Sequence, residues 1–166
     1  MYVTLDIETL DIYNIYFSEK QKNNVIQNCF FSNIYYSTLY YTLNNLVFFL
    51  EFEFTTTCPE KNQLYFNTNN PHNTNIMHHI QHIEKQLLTY YKKNTNELQI
   101  QYTLYPQLKK GYIKLIMNTT VKNVPLLLRI SGIWENKQGE IGLIYKFLKA
   151  NSTNMNSNKF VQFEST

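Results

Sequence analysis

Leu46-Val47-Phe48-Phe49-Leu50-Glu51-Phe52-Glu53-Phe54 (LVFFLEFEF, residues 46–54) alternates with a period of two. Leu46, Phe48, Leu50, Phe52 and Phe54 fall on one side, and Val47, Phe49, Glu51 and Glu53 on the other. Successive side chains of a β-strand point to opposite faces, so the pattern predicts a strand with one apolar face and one that turns acidic toward its end. Upstream, Cys29 to Tyr36 (CFFSNIYY) is rich in aromatics and reads as its neighbour. The connector STLYYTLNN (residues 37–45) is expected to be a hairpin loop closed by Asn44-Asn45. Toward the N-terminus, Val3, Leu5 and Ile7 alternate with Thr4, Asp6 and Glu8, predicting another strand. Leu10 to Phe17 follows in the same style, and the polar Ser18 to Asn24 (SEKQKNN) reads as a turn.

Downstream the period changes. Phe66 to Asn75 (FNTNNPHNTN) has the composition of a loop, after which Ile76, Ile80, Ile83, Leu87 and Tyr90/Tyr91 recur at spacings of three and four. One amphipathic helix over Ile76–Lys93 is expected, capped by Thr74 or Asn75 and stopped by KKNTN, with His78, His82, Glu84, Lys85 and Lys92 on its polar face. Strand signals return at Leu98–Leu104, at Tyr112–Met117 behind the Lys109-Lys110-Gly111 turn, at Val124–Trp134 and at Ile141–Leu148. The order strands, helix, strands predicts a mainly β fold. It fits an OB-like Greek-key β-barrel with one amphipathic helix between the third and fourth core strands, a β-sandwich being the other arrangement of the same strands. Residues 1–150 form one domain on this reading, and the polar, aperiodic residues 151–166 a flexible tail.

Composition agrees with a single folded unit. The chain has 166 residues, 43% hydrophobic and 16% charged, too apolar for a disordered segment. Its apolar runs are far shorter than the roughly 18 residues of a membrane span, and the N-terminus lacks the basic start and apolar stretch of a signal peptide. An intracellular protein, neither membrane-bound nor secreted, is expected. The two cysteines, Cys29 and Cys58, belong to no CxxC pair and read as free thiols.

Catalytic motifs are few. Asp6-Ile7-Glu8-Thr9 resembles the first motif of DEDD-type 3′-5′ exonucleases, but two-metal chemistry needs further aspartates and the only other one is Asp11. His78, His79 and His82 have no HExxH glutamate and no cysteine at finger spacing, so a solvated helix face explains them more simply than zinc. No Gly-rich phosphate loop and no nucleophile elbow is present. An enzyme is not expected, nor a cofactor.

What the sequence does offer is rings and cations interleaved on strands. Tyr112 and Lys114 share a face opposite Ile113 and Leu115, while Arg129 and Lys146 are each flanked by apolar neighbours that point the other way. Single-stranded nucleic acid is bound by such mixtures, bases stacking on rings while a cationic groove follows the phosphates. The net charge is +3 and Arg129 is the only arginine. Lysine attracts phosphate as a point charge and lacks the fork that reads guanine edges, so binding should tolerate sequence.

The block LLLRISGIWENKQGEIGLIYKF (Leu126 to Phe147) has an apolar strand, Gly132-Ile133-Trp134, a polar turn, and Gly142-Leu143-Ile144-Tyr145-Lys146-Phe147. It resembles the closing hairpin of OB-fold single-stranded DNA-binding proteins of large DNA viruses and some phages. Phe31 to Phe54 (FSNIYYSTLYYTLNNLVFFLEFEF) is similar to the second and third strands of proteins from arthropod-infecting large DNA viruses that end in the same block. The resemblance covers these two blocks, and the chain departs from the phage pattern in lacking an acidic C-terminal tail. It implies sequence-tolerant binding of single-stranded DNA, with RNA as the related ligand, in viral replication or recombination. A homo-oligomer is compatible with that role. Trp134, Tyr112 and Tyr145 are the stacking candidates, and Lys109, Lys110, Lys114, Arg129 and Lys146 the phosphate candidates. The rival expectation is a β-rich structural or protein-interaction module whose exposed rings pack against a partner.

Overall fold

The computed structural model describes residues 3–23, 28–93, 97–115 and 126–150. The expected tail at 151–166, the helix stop at 94–96, and the strand ends at 116–117 and 124–125 lie outside these residues. In chain order the strands are β1 (Ile15–Phe17), β2 (Gln21–Lys22), β3 (Cys29–Ser37), β4 (Thr42–Asn44), β5 (Leu46–Leu50), β6 (Phe54–Cys58), β7 (Gln63–Phe66), β8 (Gln99–Ile100), β9 (Tyr112–Lys114), β10 (Leu126–Asn136) and β11 (Glu140–Lys149). Helix α1 (Pro71–Lys92) lies between β7 and β8, and a short helix α2 (Leu104–Leu108) between β8 and β9. The fold is mainly β, a curled half-barrel sheet with one main helix, and is consistent with an OB-like β fold.

The long hairpin of β10 and β11 is the spine of the larger sheet. β11 pairs with β10 from Leu126↔Lys149 to Glu135↔Ile141. The other edge of β10 changes partner midway: Leu126–Ile130 pair with β5, and Gly132–Asn136 pair with β3. A β-bulge falls between Ile130 and Gly132, at the point of the switch. Bulges bend a strand and increase its twist, so this one lets a single strand serve two partners and curls the sheet. Gly132 is required there by close approach, since a Cβ would lie 2.2 Å from the Ser32 carbonyl oxygen of β3. β1, β2 and β4 pair with β3, and β8 runs parallel to β11. The second sheet has the order β6-β7-β9.

The 46–54 strand is broken in two. β5 ends at Leu50 and β6 starts at Phe54 in the other sheet. The cause is Asn73, a fully buried residue in the first turn of α1. Its Oδ1 accepts from the Glu53 amide at 2.9 Å, and its Nδ2 donates to the Glu53 and Asn67 carbonyls, both at 3.1 Å. Glu53 is thereby bonded to the helix instead of to a ladder. The alternation survives the break: Leu46, Phe48, Leu50, Phe52 and Phe54 all contribute to the main core.

α1 begins earlier than the periodicity predicts. Asn70, not Thr74 or Asn75, is the N-cap, its side chain accepting from the amides of His72 and Asn73, with Pro71 at the first helical position. Apolar spacing cannot locate this turn, because its residues are polar. From Met77 onward Ile80, Ile83, Leu87 and Leu88 are buried in the same core as Leu126, Leu128, Ile130 and Ile133 of β10 and Ile141, Leu143 and Phe147 of β11.

The expected N-terminal strand is absent. Residues 3–10 make only an isolated bridge, Leu5 to Phe48, while Asp6 Oδ1 accepts the Glu8 amide at 2.9 Å. Such a side-chain turn competes with a ladder. Leu5, Ile7 and Leu10 still pack against the main core. Three further expectations need correction. Thr42–Asn44 of the connector is a strand, and Gln21–Lys22 of the supposed turn pairs with β3. The Leu98–Leu104 stretch contains only the two-residue β8, because from Thr103 onward the backbone is recruited into α2.

Candidate nucleic-acid interface

One carboxylate organises the region that gathers most of the expected binding residues. Glu84 sits on the polar face of α1 by sequence, yet it is fully buried. Its Oε1 accepts from the amides of Thr103 and Leu104, both at 2.8 Å, and its Oε2 from the Tyr105 amide at 2.9 Å. These are the orphan donors at the start of α2, which Thr103 caps with no side-chain bond of its own. A negative charge there also opposes the positive end of the helix. α2 ends at a Lys109-Lys110-Gly111 turn. Gly111 has φ of 74°, and its carbonyl accepts from the Phe66 amide at 2.9 Å, tying the turn to β7.

Beyond that turn β9 pairs with β7 in the register Gln63↔Lys114, Leu64↔Ile113 and Tyr65↔Tyr112. Leu64 and Ile113 enter the core, leaving Gln63, Tyr65, Tyr112 and Lys114 together on the opposite face. The Tyr65 and Tyr112 rings lie 5.8 Å apart, tilted by 45°. This face, α2 and Tyr145 of β11 enclose an open groove of about 490 Å³. Lys110, Tyr112, Lys114 and Tyr145 line it, with Gln63, Gln107, Thr103 and Pro106. Lys110 and Lys114 are exposed and in no ion pair among the described residues, and no carboxylate lines the groove.

Two of the hydroxyls, those of Tyr65 and Tyr145, are held in place. Tyr145 donates to Gln107 Oε1 at 2.7 Å, and Tyr65 donates to Gln63 Oε1 at 2.8 Å. Burial raises the Tyr145 phenol above the ordinary tyrosine value; a hydrogen bond with Thr103 opposes this and the Glu84 charge adds to it. Tyr145 therefore stays protonated, and remains a donor, throughout the neutral range.

The other candidates lie elsewhere. Lys109 turns onto the Tyr105 ring, with Nζ 5.1 Å from its centroid, and does not line the groove. Arg129 and Lys146 are cross-strand neighbours on β10 and β11. On β11, Ile141, Leu143, Tyr145 and Phe147 face the core, so Lys146 and Gly142 face the other way, and their partners Arg129 and Trp134 with them. Trp134 is half-buried, its ring over Gly142, where a Cβ would come 2.6 Å from Cζ2. The alternation of β11 thus puts Trp134 on the opposite surface from Tyr145. Gln63 and Gln107, which complete the groove, went unread in the sequence. Pro106, tolerated in a first helical turn, is the one local sign that residues 104–108 are helical.

Among the described residues no group of three His, Cys, Asp or Glu is disposed to hold a metal ion, and His79 faces Glu8 at 3.4 Å. Cys29 and Cys58 are free. No described helix is long and apolar enough to cross a membrane. No family model, no curated protein and no solved structure matches the chain.

Proposed function

We propose that the chain binds single-stranded DNA in the groove between α2, β7, β9 and β11, without cofactor and with affinity set mainly by phosphate contacts. The supporting observation is the lining itself: Lys110 and Lys114 unpaired beside the tyrosines, with no carboxylate among them. Cations follow a phosphate backbone and rings accept a base face, so a strand fits where a small neutral ligand would leave two ammonium groups unused. The role in viral replication or recombination rests on the resemblance of Leu126–Phe147 and Phe31–Phe54 to viral OB-fold proteins. Duplex DNA is a poorer fit, because its bases offer no free faces for stacking.

A titration of fluorescein-labelled oligo(dT) over a salt series tests this. Affinity should fall steeply with salt, and Lys110→Ala with Lys114→Ala should reduce the salt slope by about 1–2 on a log–log plot. Binding unchanged between low and moderate salt would defeat the proposal. A second reading, a protein-interaction module, is favoured by one observation. At the β1–β3 end of the larger sheet Leu39 is 97% exposed, Tyr13 77% and Tyr40 75%. A chain that ignores oligo(dT) at every salt concentration leaves that reading in place.

A further inference from the structure

Helix α1 carries one carboxylate in its 22 residues, Glu84, and that one is buried against the start of α2. The exposed surface of the helix is therefore cationic or neutral throughout. At about 3.6 residues per turn, His82 and Lys93 lie roughly half a turn round the helix from Glu84, on the flank away from α2. There a second groove, of about 650 Å³, runs between α1 and the 3₁₀ turn Ile12–Asn14. Its lining is mostly apolar, from Ile12, Tyr90 and the methylene stems of Lys85, Lys92 and Lys93, whose ammonium groups rim it. None of the three lysines is in an ion pair among the described residues, and no carboxylate lines the groove. The acid next to Ile12 in sequence, Asp11, uses both oxygens on the 3₁₀ turn, accepting from the Tyr13 amide at 2.9 Å and from Asn14 Nδ2 at 3.2 Å.

We propose that this second groove is a docking site for an acidic segment of a partner protein, with one bulky apolar side chain seated against Ile12 and carboxylates on either side of it reaching the lysines. Charge complementarity selects the sign of the partner. Spacing selects its kind: at about 1.5 Å of rise per residue, the lysines from Lys85 to Lys93 spread over roughly 12 Å of helix, which several carboxylates along a chain match better than a single headgroup. A stretch of single-stranded nucleic acid fits less well. Tyr90 is the one ring in the lining, and it is half-buried with its centroid 6.2 Å from that of Phe17, so successive bases have no platform. The two grooves lie on different flanks of α1, so docking stands or falls apart from strand binding.

The probe is a fluorescein-labelled peptide of aspartates and glutamates around a central phenylalanine, with a control of the same charge that has glycine at the centre. The full chain should bind the first about five- to tenfold more tightly than the second, because the control keeps the charge attraction and loses the buried ring. Lys85→Glu with Lys93→Glu should weaken the phenylalanine peptide by more than about tenfold. Thr89 is exposed in the lining, between Lys85 and Lys93 along the helix. Thr89→Glu should weaken binding about three- to fivefold and Thr89→Lys strengthen it about as much, opposite signs that a loss of folding would not give. Melting curves check that each variant is folded, and the Thr89 pair decides the matter if the double variant unfolds. Unlabelled oligo(dT) should leave the peptide in place. No binding of the phenylalanine peptide, equal binding of the two peptides, or binding that ignores the charge reversal would overturn the proposal and leave strand binding untouched. Displacement of the peptide by oligo(dT) would also overturn it, and would make this flank part of the nucleic-acid surface.

Discussion

On the groove side of the β10–β11 hairpin, Tyr145 is held by Gln107 and lies among groups anchored by Glu84. On the opposite side, one residue along the same strand, Lys146 is paired in register with Arg129, a like charge. Like charges directly opposed on a sheet destabilise it, and Arg129 Nε is also buried with no hydrogen-bond partner among the described residues. The two surfaces draw on the same kinds of side chain, rings and cations. They differ in what holds those side chains. In the groove the hydroxyls of Tyr65 and Tyr145 are each bonded to a glutamine oxygen, which fixes their orientation. Outside, the cations repel each other and Trp134 covers a glycine. A cluster of aromatic and basic residues becomes a site through the hydrogen bonds that orient it, and its composition alone does not decide that.

The largest effect should come from removing the anchor. Glu84→Ala leaves three backbone amides without their acceptor, that of Leu104 buried and those of Thr103 and Tyr105 part-buried, and should cost about 3 kcal/mol of stability. Thermal melting reads the loss, and hydrogen exchange should show the amides of residues 103–105 opening before those of β10. An unchanged melting point would mean that α2 holds itself in place, and the contrast between the surfaces would need another cause.

Trp134 offers an intermediate effect and a direct comparison of the two faces. Trp134→Ala uncovers Gly142 and part of the outer surface, with an expected loss of about 1–3 kcal/mol in stability. Oligo(dT) affinity should stay within about twofold of wild type, since the ring and the groove lie on opposite faces. As the only tryptophan it also reports on binding in the intact chain, and its emission should be steady as the groove fills. Strong quenching at saturation would place the strand on the outer face and reverse the assignment.

The smallest effect concerns the repelling pair. Lys146→Glu converts it into an opposite-charge pair and should raise stability by about 0.2–1 kcal/mol, less at high salt. Destabilisation would show that Arg129 is already neutralised.

Much of the fold was legible because alternation is a local property. The faces of Leu46–Phe54, the sharing of one face by Tyr112 and Lys114, and the outward turn of Arg129 and Lys146 all follow from a period of two and hold in the structure. Legibility failed where a side chain captured the backbone. Asn73 ended a strand by bonding to Glu53, Asp6 bent a segment that alternates well, and Glu84 drew Thr103–Tyr105 into a helix. Hydrophobic pattern carries no trace of these bonds, since each depends on a polar residue that the same pattern assigns to solvent.

By itself, then, the sequence determined the mainly β architecture, its mid-chain helix and which neighbours along each strand look the same way. Each of these is settled by the geometry of a few consecutive residues and the removal of apolar side chains from water. Only the tertiary structure decided that Tyr145 joins Lys110, Tyr112 and Lys114 while Trp134, Arg129 and Lys146 are left on the other surface. That outcome depends on which strands pair, on a bulge that lets β10 change partners, and on a buried carboxylate that fixes a helix remote from it in the chain. Such long-range contacts are chosen by the packing of the whole chain, and no local period encodes them.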